Sequence, residues 1–140
     1  MIDLDHFKRL NDEHGHAFGD AILSQVAGTI MGSIRPCDVA CRYGGEELVV
    51  LLPDCTISEG MAKAELLRAR IERISESHDA RITASLGVAT IPESSSKVGD
   101  VLTDADAALY RAKAEGRNRV ISALNRPIKG VGKTLSVAVV

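Results

Sequence analysis

Apolar and acidic positions alternate at the start of the chain, Met1-Ile2-Asp3-Leu4-Asp5, which is the pattern of a strand end. From Gly19-Asp20 the period changes, and Ile22, Leu23, Val26, Ala27, Ile30 and Ile34 recur at helical spacing until Pro36 closes the stretch. Asp38 to Tyr43 and Glu46 to Leu52 read as two strands joined across Gly44-Gly45, with Pro53-Asp54 stopping the second. Ser58 is placed to cap a second helix running to about Glu76, with Met61, Ala64, Leu67, Ile71 and Ile74 on its apolar side. Alternation returns from Arg81 to Ile91, followed by a polar loop over 92–96. A third helix is predicted over Val98–Ala114, with Leu102, Ala105, Leu109 and Ala112 inward and Gly116 ending it. Arg119 to Ser122 reads as a short last strand.

The predicted order is β-α-β-β-α-β-α-β, an α+β arrangement. Its first six elements match a ferredoxin-like βαββαβ core in which the first and third strands are neighbours, with an extra helix and short strand. In that topology the end of the first strand and the hairpin after the second lie at one edge of the sheet. Asp3 and Glu46 are therefore expected close in space although distant in sequence.

Composition narrows the partners. Lys+Arg number 17 against 19 Asp+Glu, a net charge of -2, so the basic excess of a protein gripping a nucleic-acid backbone is missing. Aromatics are 3% with no Trp, which argues against a base-stacking platform. No apolar run approaches the length of a membrane span. Cys37, Cys41 and Cys55 are an odd count without a signal-peptide pattern, so reduced, half-buried thiols and a cytoplasmic setting are expected.

The acidic residues are the candidate chemistry. Magnesium takes oxygen ligands, using one or two carboxylates plus substrate phosphates, and Asp3, Asp5, Glu46 and Glu47 supply that ligand class at the predicted edge. Gly44-Gly45 lets backbone approach a ligand closely. Taken singly, each of these is equally well a solvated strand edge or a bare turn; it is their combination in this topology that points to a nucleotide-metal site.

The spaced runs Asp3-Leu4-Asp5-His6-Phe7-Lys8, Asn11-Asp12, Gly15-His16, Gly19-Asp20 and Arg42-Tyr43-Gly44-Gly45-Glu46-Glu47-Leu48 resemble a GGDEF domain. The family's late signature is matched by Asp106-Ala107-Ala108-Leu109-Tyr110-Arg111-Ala112-Lys113 with Gly116-Arg117-Asn118. The resemblance covers residues 1–122 and leaves 123–140 as a C-terminal tail without a counterpart. It implies the palm-type fold of nucleotide cyclases and the condensation of two GTP into cyclic di-GMP.

By resemblance, magnesium (or manganese) is held by Asp3, Glu46 and the Leu4 carbonyl, and Lys8 neutralises charge on the triphosphate. Asn11 and Asp20 hydrogen-bond guanine, His16 lies beside the nucleotide with Gly44 and Gly45, and Lys113 and Arg117 hold the distal phosphates. An aspartate accepts from the N–H donors of guanine, which adenine lacks there. Glu46 or Glu47 is the proton acceptor, and the residues leave both open. Because each domain binds one GTP, the resemblance implies a homodimer with two facing sites. Arg35-Pro36-Cys37-Asp38 fits the family's inhibitory R-x-x-D motif, with Arg35 and Asp38 contacting cyclic di-GMP.

Several features depart from the pattern. Leu48 stands where the family signature has Phe. The family's Asp-x-Leu-Thr segment and preceding helix are missing here, so the strand bearing Asp3 is expected to be a frayed stub. The apolar end Leu135 to Val140 reads as a sticky tail, an edge strand or the trace of a frame change. Lys129 to Thr134 resembles a Walker A loop, but the first glycine falls at Pro127. His14-Gly15-His16 with Asp12 offers a transition-metal alternative, and His6 and His78 read as surface residues. Two functional classes follow: a working diguanylate cyclase, or a catalytically weak module that binds GTP or cyclic di-GMP.

Overall fold

The computed structural model describes residues 1–95, 97–123 and 136–140. Its strands are β1 (Ile2–Leu4), β2 (Val39–Arg42), β3 (Glu47–Pro53), β4 (Ala84–Ile91), β5 (Val120–Ser122) and β6 (Val137–Val139). Its helices are α1 (Phe7–His14), α2 (His16–Met31), α3 (Ile57–Glu72), followed by a 3₁₀ turn at Arg73–Ser77, and α4 (Val98–Ala114). β1 lies between β3 and β4 and is antiparallel to both, β2 flanks β3, and β5 runs parallel to β4 on the other side. Because β1 and β2 are each antiparallel to β3, they run in the same direction, the split βαβ arrangement expected from the element order.

The sheet is covered on both faces. One core joins Phe7 of α1, Ile22, Val26 and Ile30 of α2 and Leu67 and Ile71 of α3 to Ile2, Val50 and Leu86 of the sheet. The other is made by Val101, Ala105, Ala108 and Leu109 of α4 against Val49, Ala89 and Val139. Helix α4 lies close to β4 because Gly87 has no side chain: a Cβ there would meet the Ala105 carbonyl oxygen at 2.1 Å and the Leu109 nitrogen at 2.4 Å. That close approach fixes the height at which the end of α4 reaches the sheet edge.

Several local expectations need correction. The helix expected from Gly19 begins at His16, and the polar run before it is a helix of its own, α1, whose only fully buried side chain is Phe7. So few apolar positions in Phe7–His14 give no clear helical period. The cap of α3 is Thr56, not Ser58: its hydroxyl accepts from the Glu59 backbone N–H at 3.3 Å while Glu59 accepts from the Thr56 N–H at 2.8 Å. Cys37 and Cys41 are exposed and Cys55 is buried, so none is half-buried.

The largest correction concerns the chain ends. β1 is no frayed stub, since Ile2 and Leu4 are 0% and 2% exposed, Ile2 and Asp3 are paired on both sides, and Leu4 is paired to Ala84. Residues Val137–Val139 are neither a loose tail nor an edge strand; β6 lies inside the sheet between β3 and β4. The Walker-like run at Lys129 to Thr134 falls outside the described residues.

Candidate active site

The sheet edge is built from β1 outward. Asp3 is only 6% exposed and lies opposite Glu47 of β3 on one side and Ser85 of β4 on the other. Burial pushes its carboxyl pKa up, and the negative charges of Glu46 and Glu47 add to that, while Lys113 opposes it. Lys113, on the last turn of α4, places its ammonium 2.8 Å from Asp3 Oδ2. Asp3 therefore feels the negative charge of Glu46 and Glu47, and the Lys113 ammonium offsets part of it.

The hairpin carrying Glu46 and Glu47 is held by its own backbone and by Arg42. Tyr43 N–H donates to the Glu47 carbonyl at 2.8 Å, and Arg42 Nε and Nη2 donate to the Gly45 carbonyl at 2.9 and 2.6 Å. The sequence motif leaves the task of Arg42 open; its side chain shapes the acidic turn. A charged residue two positions before the double glycine is the sequence signal for this role.

Asp5 is a second residue whose task the sequence left unstated. Its carboxylate is buried and accepts from Thr83 Oγ1 at 2.8 Å, Ser85 Oγ at 2.7 Å and the Asn118 backbone N–H at 3.0 Å. Its hydrogen bonds go to Thr83, just before β4, to Ser85 of β4 and to the loop after α4, not toward Glu46. That loop holds Gly116, Arg117 and Asn118 at φ of 117°, 63° and 46°, and His6 beside Asp5 stands at 58°. Left-handed backbone at non-glycine residues costs about 1–3 kcal/mol each and persists where surrounding contacts over-determine it. Asp5 provides such contacts, and Arg68 adds another by donating to Asn118 Oδ1 at 2.7 Å.

Nucleotide-binding candidates flank this edge. Asn11 packs against Gly19 so closely that a Cβ on Gly19 would lie 1.8 Å from Asn11 Oδ1. That oxygen is buried and has no hydrogen-bond partner among the described residues. Asp20, the next residue along α2, is exposed and lines a groove of about 520 Å3 with Leu23, Ala27, Arg42 and Leu48. Leu48, in place of the family's Phe, is 6% exposed and contributes to both this groove and the core. Lys8 and His16 are exposed on α1 and at the start of α2. Arg117 lines a separate polar cavity of about 450 Å3 with Asp5, His6, Arg9, Arg81 and Asn118.

Arg35 and Asp38 sit elsewhere. Arg35 donates from Nη2 to Asp38 Oδ1 at 2.8 Å and from its backbone N–H to Oδ2 at 2.8 Å, and it also reaches the Pro53 carbonyl. Pro53 closes β3 at the end opposite Glu47, six residues away at about 3.3 Å each, so this pair lies roughly 20 Å from the acidic edge. Burial raises the Asp38 pKa, but the hydrogen bonds and charge of Arg35 outweigh it and hold the carboxyl below its usual range.

Magnesium fits the donor set, which is all oxygen, and the ammonium on Asp3 marks a place where a cation is stabilised. Among the described residues no group of three or more His, Cys, Asp or Glu closes into a ready-made metal cage. A magnesium site built from two carboxylates and substrate phosphates does not require one. His14, of the alternative His-Gly-His site, lies against the Phe18 ring with centroids 4.9 Å apart.

The model of the family described as "Diguanylate cyclase, GGDEF domain" matches residues 1–119. The chain belongs to the GGDEF family. Diguanylate cyclase A of Treponema denticola is 41% identical over 128 residues, which cover 89% of this chain and 34% of that protein. The chain thus spans about a third of the length of this curated relative. Among solved structures, the GGDEF domain of PA1120 (YfiN or TpbB) from Pseudomonas aeruginosa matches with a TM-score of 0.81 and 34% identity, covering 89% of this chain and 80% of that one. The GGDEF domain of DgcB from Caulobacter crescentus, in complex with c-di-GMP, matches with a TM-score of 0.75 and 34% identity over 87% of this chain and 74% of that one. The palm-type α+β fold expected from the sequence is therefore the fold of this GGDEF chain. No helix among its described residues is long and apolar enough to cross a membrane.

Proposed function

We propose that this GGDEF chain condenses two GTP molecules into cyclic di-GMP, releasing two pyrophosphates. The observation that carries the reading is the meeting of Asp3, Glu46 and Glu47 charges at one sheet edge with Lys113 on Asp3 Oδ2 at 2.8 Å. Asp3, Glu46 and the Leu4 carbonyl hold magnesium, with manganese as a substitute, and the ion when bound supplies Lewis-acid polarisation of the α-phosphoryl oxygen. Lys8, Lys113 and Arg117 bind the phosphate oxygens and offset the charge that builds in the transition state. Glu46 or Glu47 accepts the proton of the attacking 3′-hydroxyl. Asn11 and Asp20 orient guanine through its N–H donors, supported by the partnerless buried Asn11 Oδ1 and the exposed Asp20 carboxylate beside the groove.

Each domain supplies one nucleotide and one half of the chemistry, so turnover requires two chains facing each other. Arg35 and Asp38 form a product-inhibition site, remote from the acidic edge and released from their mutual pairing when cyclic di-GMP binds. Chromatography of products after incubation with GTP and magnesium tests the reading, with cyclic di-GMP and pyrophosphate expected. A second reading is favoured by the Lys113 ammonium standing on Asp3 Oδ2, where a metal ion would bind: the chain is a catalytically weak module that binds GTP or cyclic di-GMP. A melting temperature raised by GTP and magnesium, without product, selects that reading. Neither product nor a shift rejects both.

A further inference from the structure

The slot between β3 and β4 is filled end to end by two segments from opposite ends of the chain. β6 places Val137, Ala138 and Val139 opposite Pro53, Leu52 and Leu51 on one side and Ile91, Thr90 and Ala89 on the other. β1 continues in the same direction, with Ile2 opposite both Leu48 and Leu86. At the seam, Val140 exchanges backbone hydrogen bonds with Val50 at 2.9 and 2.7 Å, and Met1 exchanges them with Gly87 at 2.6 and 2.8 Å. Along β3 this leaves Val49 for Met1, and along β4 it leaves Val88 for Val140. No position is skipped on either neighbour.

The side chains also keep their alternation across the seam. Ala138, Val140, Ile2 and Leu4 enter the core beneath α2 and α3, whereas Val139 and Met1 enter the core beneath α4. A slip of one residue would have reversed every one of these faces. The covering helix is shaped for the segment: Gly60 of α3 faces it, and a Cβ there would stand 3.1 Å from Ala138 Cβ. Ala138, Val139 and Val140 are each 0% exposed.

We infer that Val137 to Val140 is a positioning segment that completes the strand carrying Asp3 and sets the register of that carboxylate beside Glu47 and Lys113. β1 alone has three residues, short of the five or six of an ordinary strand. β6 and Val140 give partners to the backbone of β3 from Val50 onward and of β4 beyond Val88, polar groups that are costly to bury unpaired. The strand itself is inferred from register and burial; its consequence for metal binding rests on the function proposed above.

Substitutions in the full chain test this. Ala138→Leu drives a larger side chain against Gly60 and Val88, Val139→Thr sets a hydroxyl in the α4 core, and Ala138→Ser fits the existing space. Residue-resolved amide exchange is expected to accelerate roughly tenfold or more at Ile2 to Leu4 in the first two, against less than about threefold at Leu67 to Ile71 of α3. Ala138→Ser keeps the wild-type pattern. Manganese, read by its electron-spin resonance, is expected to bind roughly tenfold more weakly in Ala138→Leu and Val139→Thr. Unchanged exchange at Ile2 to Leu4 in a folded Ala138→Leu or Val139→Thr chain overturns the inference. So does equal acceleration in β1 and α3, which would mean general core packing. Wild-type protein that binds no manganese would reject the metal reading, while the exchange data would still decide the strand.

Discussion

Asp5 and Asn118 are 113 residues apart in sequence, yet the Asp5 carboxylate accepts the Asn118 backbone N–H at 3.0 Å. The bond ties the strand that carries Asp3 to the left-handed loop that carries Arg117. Asp3 pairs with Lys113, and Asp5, one residue past β1, holds the loop that carries Arg117, so the two acids brace the positions of two of the three proposed phosphate-binding cations. This coupling makes the geometry of the edge depend on a residue outside the ligand set.

Replacing Asp5 by Ala removes three hydrogen-bond acceptances from a buried site and leaves the Thr83 and Ser85 hydroxyls and the Asn118 N–H without their partner. A loss of about 2–4 kcal/mol is expected in chemical denaturation. In Asp5→Asn, which keeps the size of the side chain, KM for GTP is expected to rise more than kcat falls. A fall in kcat at constant KM would exclude this positioning role.

Substituting Asp3 by Asn or Glu46 by Gln is expected to reduce cyclic di-GMP synthesis by roughly 10²-fold or more, since each removes charge from the metal site. Recognition of guanine stays with Asn11 and Asp20, so the preference for GTP over ATP in thermal-shift measurements is retained. Wild-type turnover in Glu46→Gln would remove Glu46 from the chemistry.

Gly19→Ala is a direct probe of the guanine pocket. The new methyl would lie 1.8 Å from Asn11 Oδ1 and must displace that side chain. Roughly tenfold weaker discrimination between GTP and ATP is expected, measured as a ratio of kcat/KM, because an orienting hydrogen bond is lost. Circular dichroism should remain helical, as Ala favours helix over Gly.

The Arg35–Asp38 pair predicts a pH dependence with a definite sign. Asp38 has a folded pKa below its ordinary value, so the folded protein holds fewer protons than the unfolded chain in that interval. Its contribution is complete above the unfolded pKa near 4 and is lost as pH falls through the lower folded value. Arg35→Ala is expected to lower stability near neutrality and to flatten this acid limb in urea titrations from about pH 5 downward. The same variant should keep basal synthesis and lose inhibition by cyclic di-GMP.

Much of the fold was legible because the chain states it locally. The periodic apolar positions of Val98–Ala114 predicted α4 to the residue, and Gly44-Gly45 between two alternating runs marked the hairpin. Helix α1 is hidden in the sequence because only Phe7 of its eight residues is buried, so its period is lost among polar side chains. Thr56 and Ser58 both have cap chemistry, and only the reciprocal bonds with Glu59 single out Thr56. Arg42 lies within a motif and Asp5 among the candidate ligands; neither spacing nor residue type marks one as bracing the turn and the other the loop after α4.

What the amino-acid order determined by itself is the set of elements and the family pattern, since helical period, turn residues and spaced polar motifs act over a few residues at a time. What tertiary structure alone decided is which distant pieces share a place: Lys113 on Asp3, Asn118 on Asp5, and Val140 ahead of Met1 in one strand slot. Those pairings follow from sheet register and from two cores that must both be filled, and a short apolar segment such as Val137–Val140 carries no local mark of the neighbour it will meet.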